Sequence, residues 1–349
     1  MKKTAVAIIC GGRSSEHEIS CLSAGGVLAG LDSDKFEAVL IGITKAGNWV
    51  QLPSGYPLAI INGVLPTVDA SLTPIVADVH GFSVDGKRLS IDVVFPVLHG
   101  PYGEDGTIQG FFETAGISYV GSGVMASAAA MDKSFSKTVF SATGMQVAGG
   151  IVVTESDWKV KSSDTSYPVF VKPARGGSSR GTYKVKSEAD LEAALADAFT
   201  FDRKVMIEQA ISGREIECAV LEKDGEVLAS VVGEIVIDSK FEFYDFEAKY
   251  LDDATTVHVP ANIPEAASDE IRANAVQAFK ALGCSGLARV DFFYTNKGEV
   301  VINEINTMPG FTGTSMYPKL MQATGITYMS LITALISTAC ARTNGVLGN

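Results

Sequence analysis

Residues 286–316 read GLARVDFFYTNKGEVVINEINTMPGFTGTSM. Two runs of high β-propensity flank a short polar turn containing Gly298, which predicts a β-hairpin. Alternate side chains of a strand share a face, so Arg289 and Asp291 face one way on the first strand and Glu304 and Asn306 face one way on the second. The neighbours Phe292, Phe293, Val300, Val301, Ile302 and Ile305 are so apolar that both faces of the hairpin are expected to be covered. On an ordinary hairpin these charges would form a solvated face with Arg289 pairing the acids; in a covered one they need partners or a metal. Two carboxylates and an amide are hard oxygen donors of the kind magnesium takes, water and substrate phosphates completing its shell. The hairpin therefore points to metal-assisted phosphoryl chemistry. TMPGFTGTS, which follows, is a glycine-rich turn with hydroxyls that can offer backbone N–H groups to a ligand.

With 349 residues, 46% of them hydrophobic, the chain can build two or three packed units. Its net charge of −12 argues against a nucleic-acid partner held by bulk electrostatics. Cys10, Cys21, Cys218, Cys284 and Cys340 are scattered and form no CxxC, as expected of free thiols in a reducing compartment. The start, MKKTAVAIICGGR, imitates a signal peptide, but its apolar run is short and no small-residue cleavage site follows. ITYMSLITALISTACA is interrupted by Thr and Ser, too short to span a bilayer, and reads as a buried helix. The expectation is a soluble cytoplasmic protein with neither membrane nor nucleic acid as partner.

TAVAIIC and GGRSSEHEIS predict strand, glycine turn and helix, with Ser15 and Glu18 in capping-box spacing. Buried strands at 36–44 and 91–100 extend this into a small parallel α/β unit over the first 120 residues. Residues 53–90 read as a loop-rich insertion ending in a hairpin about Asp85-Gly86. A second unit starts near Gly121, with a helical SAAAMDKSFSKTVFSATG, two strands around PARGGSSRG, a helix SEADLEAALADAF with Ser187 and Asp190 in capping-box spacing, and the strand KVMIEQAI. A third starts near Gly213, with a hairpin about Asp224-Gly225, the polar stretch FEFYDFEAKYLDDATT, a helix at 265–282 and the opening hairpin.

Several motifs bear on chemistry, each with an ordinary alternative. PARGGSSRG (173–181) can bring its backbone close to a polyphosphate with Lys172 beside it, or be a plain glycine hairpin. HGPYGEDGTIQG places His99, Glu104 and Asp105 after a buried strand, where open α/β sheets bind ligands; a hydrogen-bonded turn would explain Asp105-Gly106 equally. Glu16 suits an ammonium group or simply the helix dipole, and Lys133 reads as solvated on its helix. The aromatic loop around Lys249 and Tyr250 is either a packed surface loop or a lid. GSGVMA (121–126) matches a dinucleotide fingerprint but lacks the acidic residue that would hold a ribose, and no GxxxxGK[ST] occurs, which excludes a P-loop enzyme.

In their order, GGRSSEHEIS, HGPYGEDGTIQG, MDKSFSK, VKPARGGSSRG, FYDFEAKY, ARVDFF and NEINTMPGFTGTS resemble the D-alanine–D-alanine ligases of the ATP-grasp superfamily, over all but residues 53–90. The resemblance implies an α/β fold class, α+β in the ATP-grasp part: an N-terminal parallel α/β domain at 1–121, a central ATP-grasp subdomain at 122–212, and a C-terminal one at 213–349 with a lid at 241–256. It implies a homodimer, ATP as substrate, and two magnesium ions that manganese can replace. Carried onto this sequence, ATP is bound by Lys133, Lys172, Glu208, Gln209, Ala210, Ile211, Glu215 and Lys249, and the metals by Asp291, Glu304 and Asn306. Glu16 holds the ammonium of the first D-alanine and is linked through Ser178 to Tyr250 on the lid, and His99 lies near that substrate's carboxylate. Ser315 and Met316 bind the second carboxylate, while Arg289 and the Gly310 N–H form the oxyanion site. Tyr250 goes, in the family, with dipeptide rather than D-alanyl-D-lactate formation. Another ATP-grasp enzyme would lack EHEIS and EAKY, and a non-enzymatic nucleotide sensor would have no use for the oxyanion pair.

Overall fold

The computed structural model describes residues 2–237 and 255–342. The chain opens on β1 (Thr4–Gly11), α1 (His17–Ala29), β2 (Phe36–Ile43) and β3 (Trp49–Gln51). A small antiparallel sheet follows, made of β4 (Val76–Asp78), β5 (Gly81–Val84) and β6 (Lys87–Arg88), then β7 (Val93–Pro96) and α2 (Thr107–Thr114). The first sheet runs β3-β2-β1-β7, with β1 parallel to both β2 and β7 and β3 antiparallel at the edge. Val6, Ile8 and Cys10 turn one way into a core shared with α1; Ala7 and Ile9 turn the other way onto Phe112 of α2. Both faces are covered, which is why these strands read as continuous apolar runs. The loop-rich 53–90 holds the three short strands, and Asp85 and Gly86, with φ of 48° and 74°, form the two-residue turn between β5 and β6.

Next come α3 (Val124–Met131), α4 (Lys133–Ala142), β8 (Gly150–Val153), α5 (Trp158–Lys161), β9 (Val169–Pro173), β10 (Tyr183–Val185), α6 (Glu188–Phe201) and β11 (Val205–Gln209). Their antiparallel sheet runs β10-β9-β11-β8, and α6 covers it with Leu191, Leu195 and Ala198. The rest is β12 (Gly213–Lys223), β13 (Glu226–Ile237), β14 (Thr255–His258), α7 (Glu265–Ala281), β15 (Leu287–Thr295), β16 (Val300–Asn306), α8 (Met316–Ala323) and α9 (Tyr328–Ala341). The five strands are antiparallel in the order β14-β13-β12-β15-β16. One face packs on α7 through Ile271, Ala275 and Phe279. On the other, Ala219 and Leu221 of β12 join Tyr317 of α8 and Leu331 and Leu335 of α9 in the same core as Val6 and Ile8. The first and last parts of the chain therefore share one core.

Three local readings change. The Ser15–Glu18 capping box does not form: α1 begins at His17 with Glu16 in the N-cap position, and Glu18 pairs with Lys45 at 2.5 Å. Ser187 does precede α6, but its hydroxyl donates to Asp190 Oδ2 at 2.8 Å and accepts no backbone N–H of the helix. SAAAMDKSFSKTVFSATG is two helices, because Asp132 leaves helical geometry to cap α4, accepting from the Phe135 N–H at 3.1 Å. Residues 328–341 are the buried helix expected, and no single described helix is long and apolar enough to cross a membrane.

Candidate active site

The register across three strands builds the floor of the site. Glu217 on β12 lies opposite Asp291 on β15, which lies opposite Glu304 on β16; Ala219, Arg289 and Asn306 form the next row. A bulge between Asp291 and Phe292 leaves Asn303 without a partner, so that Ile302 pairs with Phe292 in the core while Glu304 keeps the face of Asp291. Arg289 binds Asp291 through both arms of its guanidinium, Nε and an Nη each at 2.8 Å, and its Nε also reaches Glu217 at 3.1 Å. Asn306 donates to Asp291 Oδ2 at 3.1 Å. Burial works against the charge on Arg289, but Asp291 and Glu217 override it and hold the guanidinium well above its ordinary value. Glu217 was absent from the sequence reading, although its alternation with Glu215 in EIE placed it on the same face.

The second sheet supplies the opposite wall. Lys133, first residue of α4, reaches Glu304 Oε2 at 3.2 Å and the carbonyl of Gly176 at 2.6 Å, tying the glycine loop to the hairpin. Glu208 on β11 receives two lysines, Lys137 and Lys172, one on each oxygen at 2.5 Å. Burial comes first among the influences on all three. It prevails at Lys137, pushed down to about 8; the carboxylate of Glu208 prevails at Lys172, held above the ordinary lysine value; the lysines together hold Glu208 below the usual carboxylate range. Lys137 sits one turn beyond Lys133 in MDKSFSK and was missed because a lysine on an amphipathic helix usually points to water.

From the first unit, Glu16 at the head of α1 accepts from the Ser178 hydroxyl across the cleft. Ser178 and Ser179 both hold positive φ, 51° and 56°, a strained state for residues other than glycine that clusters at functional sites. His99 follows β7 and is 6% exposed; its Nδ1 faces the carbonyl of Met308 at 3.0 Å and its Nε2 the Ser23 hydroxyl at 2.9 Å. Both ring nitrogens are therefore engaged by the protein itself. Gly310 lies in the turn between β16 and α8, and Ser315 holds the N-cap position of α8, its Oγ accepting from the Thr312 N–H at 3.1 Å.

One cleft of about 1150 Å³ gathers these side chains. Glu16, His99 and Ser178 line it from one side; Lys133, Lys172, Glu208, Gln209, Ile211 and Glu215 from a second; Arg289, Asp291, Glu304 and Asn306 form its floor, with Gly310, Ser315 and Met316 beside them. Ala210 is not among its lining residues. Lys249, Tyr250 and most of the expected lid at 241–256 lie outside the described residues.

Two family models match this chain, the D-ala D-ala ligase N-terminus over residues 5–122 and the D-ala D-ala ligase C-terminus over 139–337. This chain belongs to the D-alanine–D-alanine ligase family. The first match runs through residues 53–90, outside the motifs that carry the resemblance. The D-alanine–D-alanine ligase of Rhodococcus erythropolis is 51% identical over 99% of both chains, and that of Mycobacterium leprae 49% identical over 98% of this chain and 95% of its own. Among solved structures, the VanG D-Ala:D-Ser ligase of Enterococcus faecalis has a TM-score of 0.84 at 37% identity, covering 97% of this chain and 100% of its own. The D-alanine-D-alanine ligase of Coxiella burnetii has a TM-score of 0.83 at 34% identity, covering 97% and 94%. The architecture is accordingly ATP-grasp, and the chain is a ligase.

Proposed function

We propose that this ligase joins two D-alanine molecules into D-alanyl-D-alanine for peptidoglycan precursor synthesis, with ATP as the activating substrate and two magnesium ions as cofactor. The observation that carries this reading is the single cleft in which an acidic pocket at Glu16, two lysines, an arginine–carboxylate floor and a glycine turn face one another. The donor set suits magnesium: Asp291, Glu304 and Asn306 offer oxygens on one face, and Lys133 and Arg289 already place positive charge against both carboxylates. When bound, magnesium would neutralise phosphate charge during phosphoryl transfer.

The chain's own residues do the rest. Glu16 takes the ammonium of the first D-alanine, placing its carboxylate to attack the γ-phosphorus of ATP. The bond to the bridging oxygen breaks, ADP leaves, and an acyl phosphate remains. Lys133 and Lys172 balance the phosphate charge, Glu215 holds the ribose, and Glu208–Ile211 borders the adenine. Ser315 and the Met316 N–H, at the N-terminus of α8, hold the second carboxylate. The second amine attacks the acyl carbon, Arg289 and the Gly310 N–H stabilise the oxyanion, and collapse expels inorganic phosphate. Lys249, expected at ATP, and Tyr250, expected at the far end of the Glu16–Ser178 link, lie outside the described residues. The enzyme works in the cytoplasm as a homodimer. The test is phosphate release against a panel of D- and L-amino acids, with products identified by mass. D-Alanine should stimulate release and yield the dipeptide; failure of D-alanine to do so overturns the reading.

A further inference from the structure

The turn that carries the Gly310 N–H is held from outside at both ends. Met308 gives its carbonyl to His99 Nδ1 at 3.0 Å and its N–H to Glu104 Oε1 at 3.2 Å. A carbonyl only accepts, so the proton of the neutral ring sits on Nδ1 and Nε2 accepts from the Ser23 hydroxyl. Ser23 Oγ in turn accepts from the Phe311 N–H at 3.2 Å, and the Phe311 carbonyl accepts from the Tyr328 hydroxyl at 2.6 Å. Between these two braced residues stand only Pro309, which has no N–H, and Gly310.

Glu104 is the one carboxyl group of the brace. Its other oxygen, Oε2, accepts from the Gly100 N–H at 2.7 Å, so a single carboxylate ties the glycine loop after β7 to the turn after β16. Gly100, at φ +72°, leaves no room for a side chain beside Glu16: a Cβ there would meet Glu16 Oε2 at 2.7 Å. Glu104 thus shares one glycine with the residue that receives the ammonium, and it feels the charges of both Glu16 and Arg289. Burial first, then Glu16, pushes its carboxyl up to about 8.

We propose that Glu104 is a positioning residue for the ligation. By holding the Met308 N–H against Gly100, while His99 holds the Met308 carbonyl, it fixes the direction of the Gly310 N–H from the wall of the same cleft. This rests on the oxyanion role given to Gly310 above. Both of its oxygens accept here, from Gly100 and Met308, an arrangement that favours the ionised form present above about pH 8, whereas a carboxamide of the same shape accepts at one oxygen only.

The test is Glu104→Gln in the full chain. Loss of one oxyanion donor slows an enzyme by roughly 100-fold, so misdirecting it should lower kcat about tenfold or more. KM for ATP should stay within about twofold, since the nucleotide is bound elsewhere. Phosphate released should exceed dipeptide formed, because an acyl phosphate that waits longer is lost to water. His99→Gln, acting on the same residue from its carbonyl, should shift coupling the same way, and the double variant should be no worse than the poorer single one. An unchanged kcat with one dipeptide per phosphate overturns the proposal. So does a parallel fall of Tm, kcat and every affinity, which marks a merely structural residue, or a rise in D-alanine KM at unchanged kcat, which marks a direct ligand. Wild-type protein without D-alanine-dependent phosphate release would overturn the functional reading itself.

Discussion

At the scale of single residues, His99 shows how burial decides protonation. Burial, then the charge of Arg289, lowers its pKa from 6.5 to about 4, against the pull of the Met308 carbonyl. The native ring therefore resists a proton that the unfolded chain accepts, and stability is lost as pH falls from 6.5 through 4. The full effect is about 3 kcal/mol. Chemical denaturation at pH 7, 5.5 and 4.5 should show this loss in the wild type and a smaller one in His99→Gln; parallel losses in both would refute it. Arg289 with Asp291, and Glu304 with Asn306, were legible as pairs because strand alternation is a local rule, while the register that unites them was not. Glu217 and Lys137 were not, since nothing local says which neighbour a charged side chain will meet.

At the scale of elements, α1 and α2 give opposite outcomes for the same substitution. Glycine inside a helix is intrinsically unfavourable, and replacing Gly110 of α2 with Ala, where nothing lies within 4 Å of the new Cβ, should stabilise by roughly 0.5–1 kcal/mol. Gly26 of α1 is different, because a Cβ there would come within 2.1 Å of the Phe311 carbonyl oxygen. Gly26→Ala should destabilise by about 1–3 kcal/mol and slow ligation, since the helix would push on the turn that bears Gly310. Thermal melts and dipeptide formation for the two variants check this; a more stable, fully active Gly26→Ala would refute it. The same logic explains the misread start of α1. Ser14, not Ser15, makes the local contact, accepting from the Glu16 N–H at 3.2 Å and donating to the His99 carbonyl at 2.7 Å, so the helix start answers to a distant loop.

At the scale of the molecule, the cleft is walled by all three large sheets and their loops, so a ligand filling it should stabilise the whole chain. Saturation with magnesium and a non-hydrolysable ATP analogue at one hundred times Kd should add about 2.7 kcal/mol and raise Tm accordingly. Glu304→Gln should lose much of that shift when magnesium is present and little of it when the analogue is added alone. An undiminished magnesium-dependent shift in Glu304→Gln would remove Glu304 from the metal site.

The parallel first sheet, the hairpins about Asp85-Gly86 and Asp224-Gly225, and the pairing of Arg289 with Asp291 and of Glu304 with Asn306 on one face of their own strands were all readable from the chain. Each follows from periodicity or turn chemistry within a few neighbours. Long-range packing was needed to set the register that joins the two strands' polar faces, to bulge Asn303 out of β16, to turn Lys137 inward to Glu208, and to bring His99, Glu104, Ser23 and Tyr328 around one turn. Those contacts join residues up to 288 positions apart. They form because the first and last parts of the chain bury one apolar core together, and polar groups carried into that core must find partners there.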